Sequence, residues 1–192
     1  MNYAHAMYAS MNILYGLAIG DALGVPVEFQ SRQSLKDDPV TGLRSLGTHS
    51  QPAGTWSDDT SLALCTASCI ANGFDINDLA SRFIRWYRQG YWSARGEVFD
   101  IGRTTALAIS RLEEGIEPDK AGGAALSDNG NGSLMRIAPM VLHVMHLSQH
   151  ERFRIIQQVS SLTHAHIRSV VACIYLVEFL RLMNNNTFPE HA

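Results

Sequence analysis

Apolar residues recur at helical spacing along most of the chain. Met11, Leu14, Ile19 and Leu23 form one such row, Leu62, Cys65, Cys69 and Ile70 a second, and Leu79, Phe83, Ile84 and Tyr87 a third. Steps of three and four place each set on one helix face, the stripe that an amphipathic helix buries. Gly73 follows the second row as a C-cap candidate, and Asp75 or Asn77 can N-cap the third row, which ends at Gly90. Further helices are expected over residues 101–114, 134–147, 151–162 and 165–183, giving about seven by pattern. Pro139 falls one turn into the 134–147 segment, where proline is tolerated, and Pro118 sits in a linker. Strand alternation is hard to find, so the pattern predicts an all-α fold. Residues 25–55, 89–100 and 127–133 carry no helical signal. Loops of this kind, gathered at one end of a helical scaffold, are where a site is built.

Length and composition narrow the class. With 192 residues, the chain is expected to be a single domain over 1–192, long enough to bury a core without disulfides or a structural metal. Its apolar fraction of 46% and charged fraction of 17% are ordinary, and a net charge of -3 leaves no electrostatic footprint for a nucleic-acid partner. Cys65, Cys69 and Cys173 are odd in number, and the first two lie four apart in a helical row, so they read as buried thiols in a reducing compartment. Residues 1–10 lack a basic leader region, and the apolar stretch 13–19 is broken by Gly16 and followed by Asp21, so no signal peptide is read there. The most apolar run, 170–177, is too short to span a bilayer and is flanked by Arg168, Glu178 and Arg181. The expectation is a cytoplasmic protein without a membrane partner.

Chemistry concentrates in a few places. Ser57-Asp58-Asp59-Thr60 sets two carboxylates and two hydroxyls on consecutive residues where a loop gives way to an apolar helix. One reading is a well-capped helix start with solvated acids. The other is half of a hard-cation site, since magnesium takes carboxylate, hydroxyl and water oxygens in an octahedral shell. Glu28 lies between Val27 and Phe29, either as a surface residue or as a carboxylate whose desolvation a cation offsets. Asp21, between Gly20 and Ala22, reads as ordering its own helix end by accepting backbone amides. The loop Ser127-Asp128-Asn129-Gly130-Asn131-Gly132-Ser133 is either a plain connection or a nest of amides for phosphate opening a helix at Leu134. His143, His146 and His150 share a helix face with no acid or cysteine near them and read as surface residues, whereas His164 stands at a break between helices, where it can reach a site or cap a helix.

Taken in order, five segments resemble the ADP-ribosylglycohydrolase family, over about residues 12–180. They are Gly20-Asp21-Ala22-Leu23-Gly24 with Glu28; Gly54-Thr55-Trp56-Ser57-Asp58-Asp59-Thr60; Phe99-Asp100-Ile101-Gly102; Gly130-Asn131-Gly132-Ser133-Leu134-Met135-Arg136; and Thr163-His164. The resemblance implies a compact orthogonal multi-helix bundle with a binuclear Mg2+ centre. It also implies hydrolysis of an N- or O-glycosidic bond between ADP-ribose and an acceptor, either an ADP-ribosylated protein or a small molecule. Carried over by position, Ser57, Asp58 and Asp59 are implied metal ligands, and Glu28 a ligand or general base. The catalytic carboxylate is one of Glu28, Asp58 and Asp59. The loop of Gly130, Asn131, Gly132 and Ser133 would hold the diphosphate, with Gly102 and His164 lining the ADP-ribose pocket.

The family's last motif, of the form Asp-x-Asp-Thr, has no counterpart. No aspartate follows Asp128, and the later acids Glu151, Glu178 and Glu190 do not cluster. Asn184-Asn185-Asn186-Thr187-Phe188-Pro189 reads as an exit from the last helix. The expectation is a fold without the family's C-terminal third and with half the metal shell, completed by a second chain or a longer product. The alternative is a non-catalytic ADP-ribose-binding or structural relative, or an inactive fragment.

Overall fold

The computed structural model describes residues 3–184, with side chains described from residue 11 onward. The side chains of residues 3–10 and the chain exit over 185–189 lie outside the described residues. Nine α-helices occur among those described: α1 (Tyr3–Gly24), α2 (Arg32–Asp37), α3 (Asp58–Ala71), α4 (Ile76–Gln89), α5 (Arg103–Glu113), α6 (Pro118–Ala121), α7 (Met140–Val144), α8 (Gln149–Ser161) and α9 (Ile167–Asn184). Extended pairing among the described residues is limited to two isolated bridges, Leu46 with Gln51 and Gly123 with His164. The fold is all-α, and among the described residues no helix is long and apolar enough to cross a membrane.

The periodic rows become the core. Leu62, Cys65 and Cys69 of α3 meet Leu79, Phe83 and Trp86 of α4, Ile109 of α5, Met140 and Val144 of α7, Ile156 of α8 and Cys173 of α9 in one continuous cluster. Helix α3 is its axis, packing against α1, α4 and α7, while α9 closes the other side against α7 and α8. All three cysteines are buried as free thiols, and burial pushes the Cys65 thiol up to about 12, so it stays protonated. Helix α4 starts where Asp75 accepts from the Asn77 and Asp78 amides and stops at Gly90 in the left-handed region, as its sequence predicts.

Three expectations change. The 25–55 stretch, expected without helix, holds α2 and 3-10 turns at Val25–Val27 and Gly47–His49. Helix α2 is held by its Ser31 cap and buries no residue, so no apolar row announces it. The expected 134–147 helix contracts to α7, Met140–Val144, with residues 132–136 in turns. Pro139 supplies no amide and biases residue 138 away from helix. His143, read as a surface residue, is half-buried with its ring 4.7 Å from that of Phe74, and burial lowers its pKa, whereas His146 and His150 are exposed.

Asp21 also departs from expectation, because it caps another helix. Its Oδ2 accepts from the backbone amides of Ser57 (2.9 Å) and Thr60 (3.1 Å) and from Thr60 Oγ1 (2.6 Å), and its Oδ1 accepts from Ser57 Oγ (2.8 Å). One carboxylate thus satisfies donors at the start of α3 and ties α1 to it, where the helix dipole also favours negative charge. The substitution Asp21→Ala is expected to lower the unfolding free energy by about 2–4 kcal/mol, since several partly buried donors lose a charged acceptor. Urea denaturation checks this, and a loss under about 0.5 kcal/mol would contradict the capping role.

Candidate functional site

The Asp21 tie turns the first turn of α3 toward a cleft of about 250 Å³. Its lining joins Glu28, Asp58, Asp59 and Asp100 to Gly102, to Gly130, Asn131 and Gly132, and to His164. An adjoining lobe of about 410 Å³ shares Glu28, Asp59, Asp100 and Asn131 and adds Asp21 and Ser57. Five segments distant in sequence therefore meet at one place. A larger groove of about 610 Å³ runs along α9 past Leu134, Val171 and Tyr175, but it is apolar and presents no carboxylate.

Ser57 N-caps α3, accepting from the Asp59 amide while its hydroxyl donates to Asp21. Asp58 is 5% exposed and Asp59 half-buried. Glu28 caps the Val25–Val27 turn, so it leaves the backbone at the end of α1. Gly102 N-caps α5. Gly132 lies so close to His164 that a Cβ there would come within 2.6 Å of Cε1, so the loop's approach to the imidazole requires glycine.

Ser133, expected to hold a ligand with this loop, is fully buried. It accepts from Ser160 Oγ (2.9 Å) and from the Cys173 thiol (3.4 Å), inside the core rather than along the cleft. Nor does the loop open a helix at Leu134, since α7 begins only at Met140. Residues 130–132 therefore face the cleft from a turn, with the Met135 amide closing on the Asn131 carbonyl.

Two groups of the acid wall were missed as site residues. His49 stands with Nε2 2.6 Å from Glu28 Oε2 and 3.7 Å from Asp100 Oδ2, its ring tilted against Phe29 and Phe99. Ligand atoms of Glu28, His49 and Asp100 all lie within 4.8 Å of one another. The turn carrying His49 is pressed onto Val25–Val27, where a Cβ on Gly47 would collide with the Pro26 backbone, and Thr48 Oγ1 donates to the Glu28 carbonyl at 2.6 Å. Asp100 belongs to one of the motifs quoted above, and its φ of 56° is a left-handed conformation that aspartate tolerates better than most residues.

The wall is short of positive charge. Burial pushes the Asp58 carboxyl up to about 9, with the charges of Asp59, Asp100 and Asp21 adding. Asp59 rises to about 6, through burial and the Asp21 charge, and Asp100 to about 7, through burial and its contact with Glu28. Acids crowded and desolvated in this way favour a proton or a cation among them. Hard oxygen donors from Glu28, Ser57, Asp58, Asp59 and Asp100 form a set that suits a divalent ion of the magnesium class, so the residues present fit such an ion. At the other end of the lining, His164 falls to about 4, chiefly through burial with help from the Arg136 charge, so its imidazole is neutral. The cleft thus offers oxygen ligands at one end and, at the other, a neutral imidazole with open glycine backbone and the Arg103 side chain, whose Nη2 lies 3.7 Å from Asp128 Oδ1.

Comparison with known proteins gives the chain's family. Residues 9–191 match the ADP-ribosylglycohydrolase family. ADP-ribosylarginine hydrolase Tri1 of Pseudomonas putida (strain GB-1) is 37% identical over 188 residues, covering 96% of this chain and 49% of that protein. ADP-ribosyl-[dinitrogen reductase] glycohydrolase of Rhodospirillum rubrum is 28% identical over 182 residues, covering 87% of this chain and 55% of that one. A solved structure described as an ADP-ribosylglycohydrolase-related protein complex superposes with a TM-score of 0.78 at 32% identity, over 95% of this chain and 58% of that chain. The chain spans about half the length of these curated relatives. With the family match over nearly its whole length, the chain belongs to the ADP-ribosylglycohydrolase family.

Proposed function

We propose that the cleft serves a magnesium-dependent hydrolase that cleaves the glycosidic bond between ADP-ribose and an acceptor. The observation that carries this reading is the single lining that joins four carboxylates to a glycine turn and a neutral imidazole. Ser57, Asp58, Asp59 and Glu28 would hold the ion, with Asp100 beside them. Such an ion, when bound, supplies positive charge that offsets the acids and orients the ribose diol.

The chain's own groups carry the remaining steps. Breaking a bond at the anomeric carbon builds oxocarbenium character, which neighbouring carboxylates stabilise. One of Glu28, Asp58 and Asp59 takes a proton from the attacking water as the acceptor departs. Gly130 and Gly132 let a diphosphate approach the backbone closely, Gly102 and Asn131 line its path, and the His164 imidazole donates to a phosphate or ribose oxygen. Two relatives, at 37% and 35% identity, bear the name ADP-ribosylarginine hydrolase. On that basis we propose ADP-ribosylarginine in protein as the first acceptor to test, in the cytoplasm. Turnover is proposed for an assembly that includes the other half of the relatives' length, from the same polypeptide or a second chain. A second reading is an ADP-ribose-binding relative without turnover.

Release of ADP-ribose from ADP-ribosylated protein, by the chain together with the completing segment, is expected to require magnesium. Asp58→Asn is expected to slow it by about 10²–10⁴-fold, the range for losing a group that acts in the transition state. Absence of release alongside retained ADP-ribose binding would favour the second reading, and absence of both would contradict each.

Stability should report the same charge deficit. Asp58 and Asp59 have folded pKa values raised above the unfolded 3.8, to about 9 and about 6. The folded state therefore keeps protons that the unfolded chain releases, and their stabilising contribution is lost as pH rises through 6 and then 9. With a chelator present, the urea midpoint is expected to fall across that window, and excess magnesium is expected to restore most of the loss. An identical decline with and without magnesium would count against a cation at this wall.

A further inference from the structure

Arg136 is fully buried, and its only hydrogen bonds among the described residues run from Nη2 to the Val159 carbonyl (3.1 Å) and to Thr163 Oγ1 (2.8 Å). Nε and Nη1 have no partner, and no carboxylate answers the charge, which stacks over Phe83 with Cζ 4.6 Å from the ring centre. A cation kept in the core on such terms, at a cost in desolvation, calls for a reason. Thr163, also fully buried, has one further side-chain partner, His164 Nδ1 at 2.9 Å. His164 is 3% exposed, lines the cleft, and lies with Nε2 against the glycine turn, 3.3 Å from where a Gly130 Cβ would stand. No described residue hydrogen-bonds Nε2.

Donor and acceptor counting along this chain of atoms leaves little freedom. A guanidinium only donates, so Thr163 Oγ1 uses one lone pair to accept from Arg136. The hydroxyl retains one proton and has one acceptor within reach, His164 Nδ1. If Nδ1 carried the ring proton, both hydroxyl lone pairs would be accepting and the buried hydroxyl proton would have no acceptor. If Nδ1 is bare, every donor between Nη2 and the ring is used.

We infer that Arg136 and Thr163 are positioning residues that fix His164 as the Nε2–H tautomer, so that the imidazole presents a donor, not an acceptor, to an anionic or hydroxyl oxygen in the cleft. The relay also keeps the ring from becoming a cation. Arg136 places a charge close by, and a doubly protonated ring would again strand the Thr163 proton. Burial and the Arg136 charge lower the His164 pKa, while the Asp128 carboxylate opposes them. The glycine turn brings no charged side chain to the ring, and Thr105 Oγ1, near the site of a Gly132 Cβ, is neutral. A donor fixed in this sense favours phosphate oxygens over cationic or donor-only ligands. The identity of the ligand rests on the ADP-ribose reading, whereas the tautomer does not.

The test uses the chain labelled with 15N in its histidine rings, with the His164 signals identified by their loss in His164→Gln. The expected result near neutral pH is Nε2 protonated and Nδ1 bare but shifted by an accepted hydrogen bond. Thr163→Val is expected to move the Nδ1 resonance toward the position of a ring that exchanges between tautomers, and Thr163→Ser to return it to the wild-type position. A protonated Nδ1 in the wild-type chain would overturn the inference whether or not the variants fold, and so would an Nδ1 resonance unmoved by Thr163→Val. Calorimetry with ADP-ribose on the same samples separates the two proposals. A wild-type chain with the expected tautomer that binds no ADP-ribose even together with the completing segment would sink the functional reading and leave the relay standing.

Discussion

The site depends on one carboxylate whose oxygens are taken up by the start of another helix. Asp21 gathers the amides and hydroxyls of Ser57 and Thr60, and so joins the end of α1 to the start of α3. Because that first turn is held from behind, Asp58 and Asp59 project into the cleft, and Ser57 keeps its place between them and Asp21. The arrangement concentrates negative charge where the helix dipole tolerates it, but tolerance is limited. Desolvation still drives Asp58 far above the usual carboxylate range. The fold holds this crowding of acids at one end and stabilises it through packing elsewhere.

The opposite sign is handled differently at the other end of the cleft. Among the described residues Arg136 sits inside the core without a carboxylate partner, and its hydrogen bonds lead through Thr163 to His164 at the cleft. Glycine at 130 and 132 lets this imidazole come close to the turn, and Ser133, directed inward to Ser160 and Cys173, anchors the turn to the core. The cleft therefore presents oxygen ligands at one end and, at the other, a neutral imidazole and glycine backbone with Arg103 on the same lining, a division that suits a ligand carrying both a diol and a diphosphate.

Much of this was legible in the sequence, for physical reasons. Rows such as Leu79, Phe83 and Tyr87, with Asp75 before them and Gly90 after, encode a helix, its caps and its buried face together, and α4 follows them closely. The acids of the Ser57-Asp58-Asp59-Thr60 cluster fit a well-capped helix start equally well by themselves, and only the order of the five segments marked them as site residues. Helix α2 was not legible, since a helix that buries nothing leaves no apolar period. His49 was missed because a lone loop histidine has no pattern, and only the fold of the turn over Pro26 brings it to Glu28. Asp21 was assigned to its own helix because local capping is the commoner use of such a residue, whereas its real partners lie 36 and 39 positions away. Ser133 was placed in the pocket by its neighbours, and its burial reflects the turn that replaces the expected helix start.

The central claim is that the acids at the start of α3 and the glycine turn beside His164 bind one ligand together. A crystal structure of the chain grown with ADP-ribose and magnesium tests it most directly. The diphosphate is expected against residues 130–132 within reach of His164 Nε2, and the distal ribose over Asp58 and Asp59 with a cation between them. ADP-ribose bound in the apolar groove along α9, or a cation bound away from Asp58 and Asp59, would contradict it.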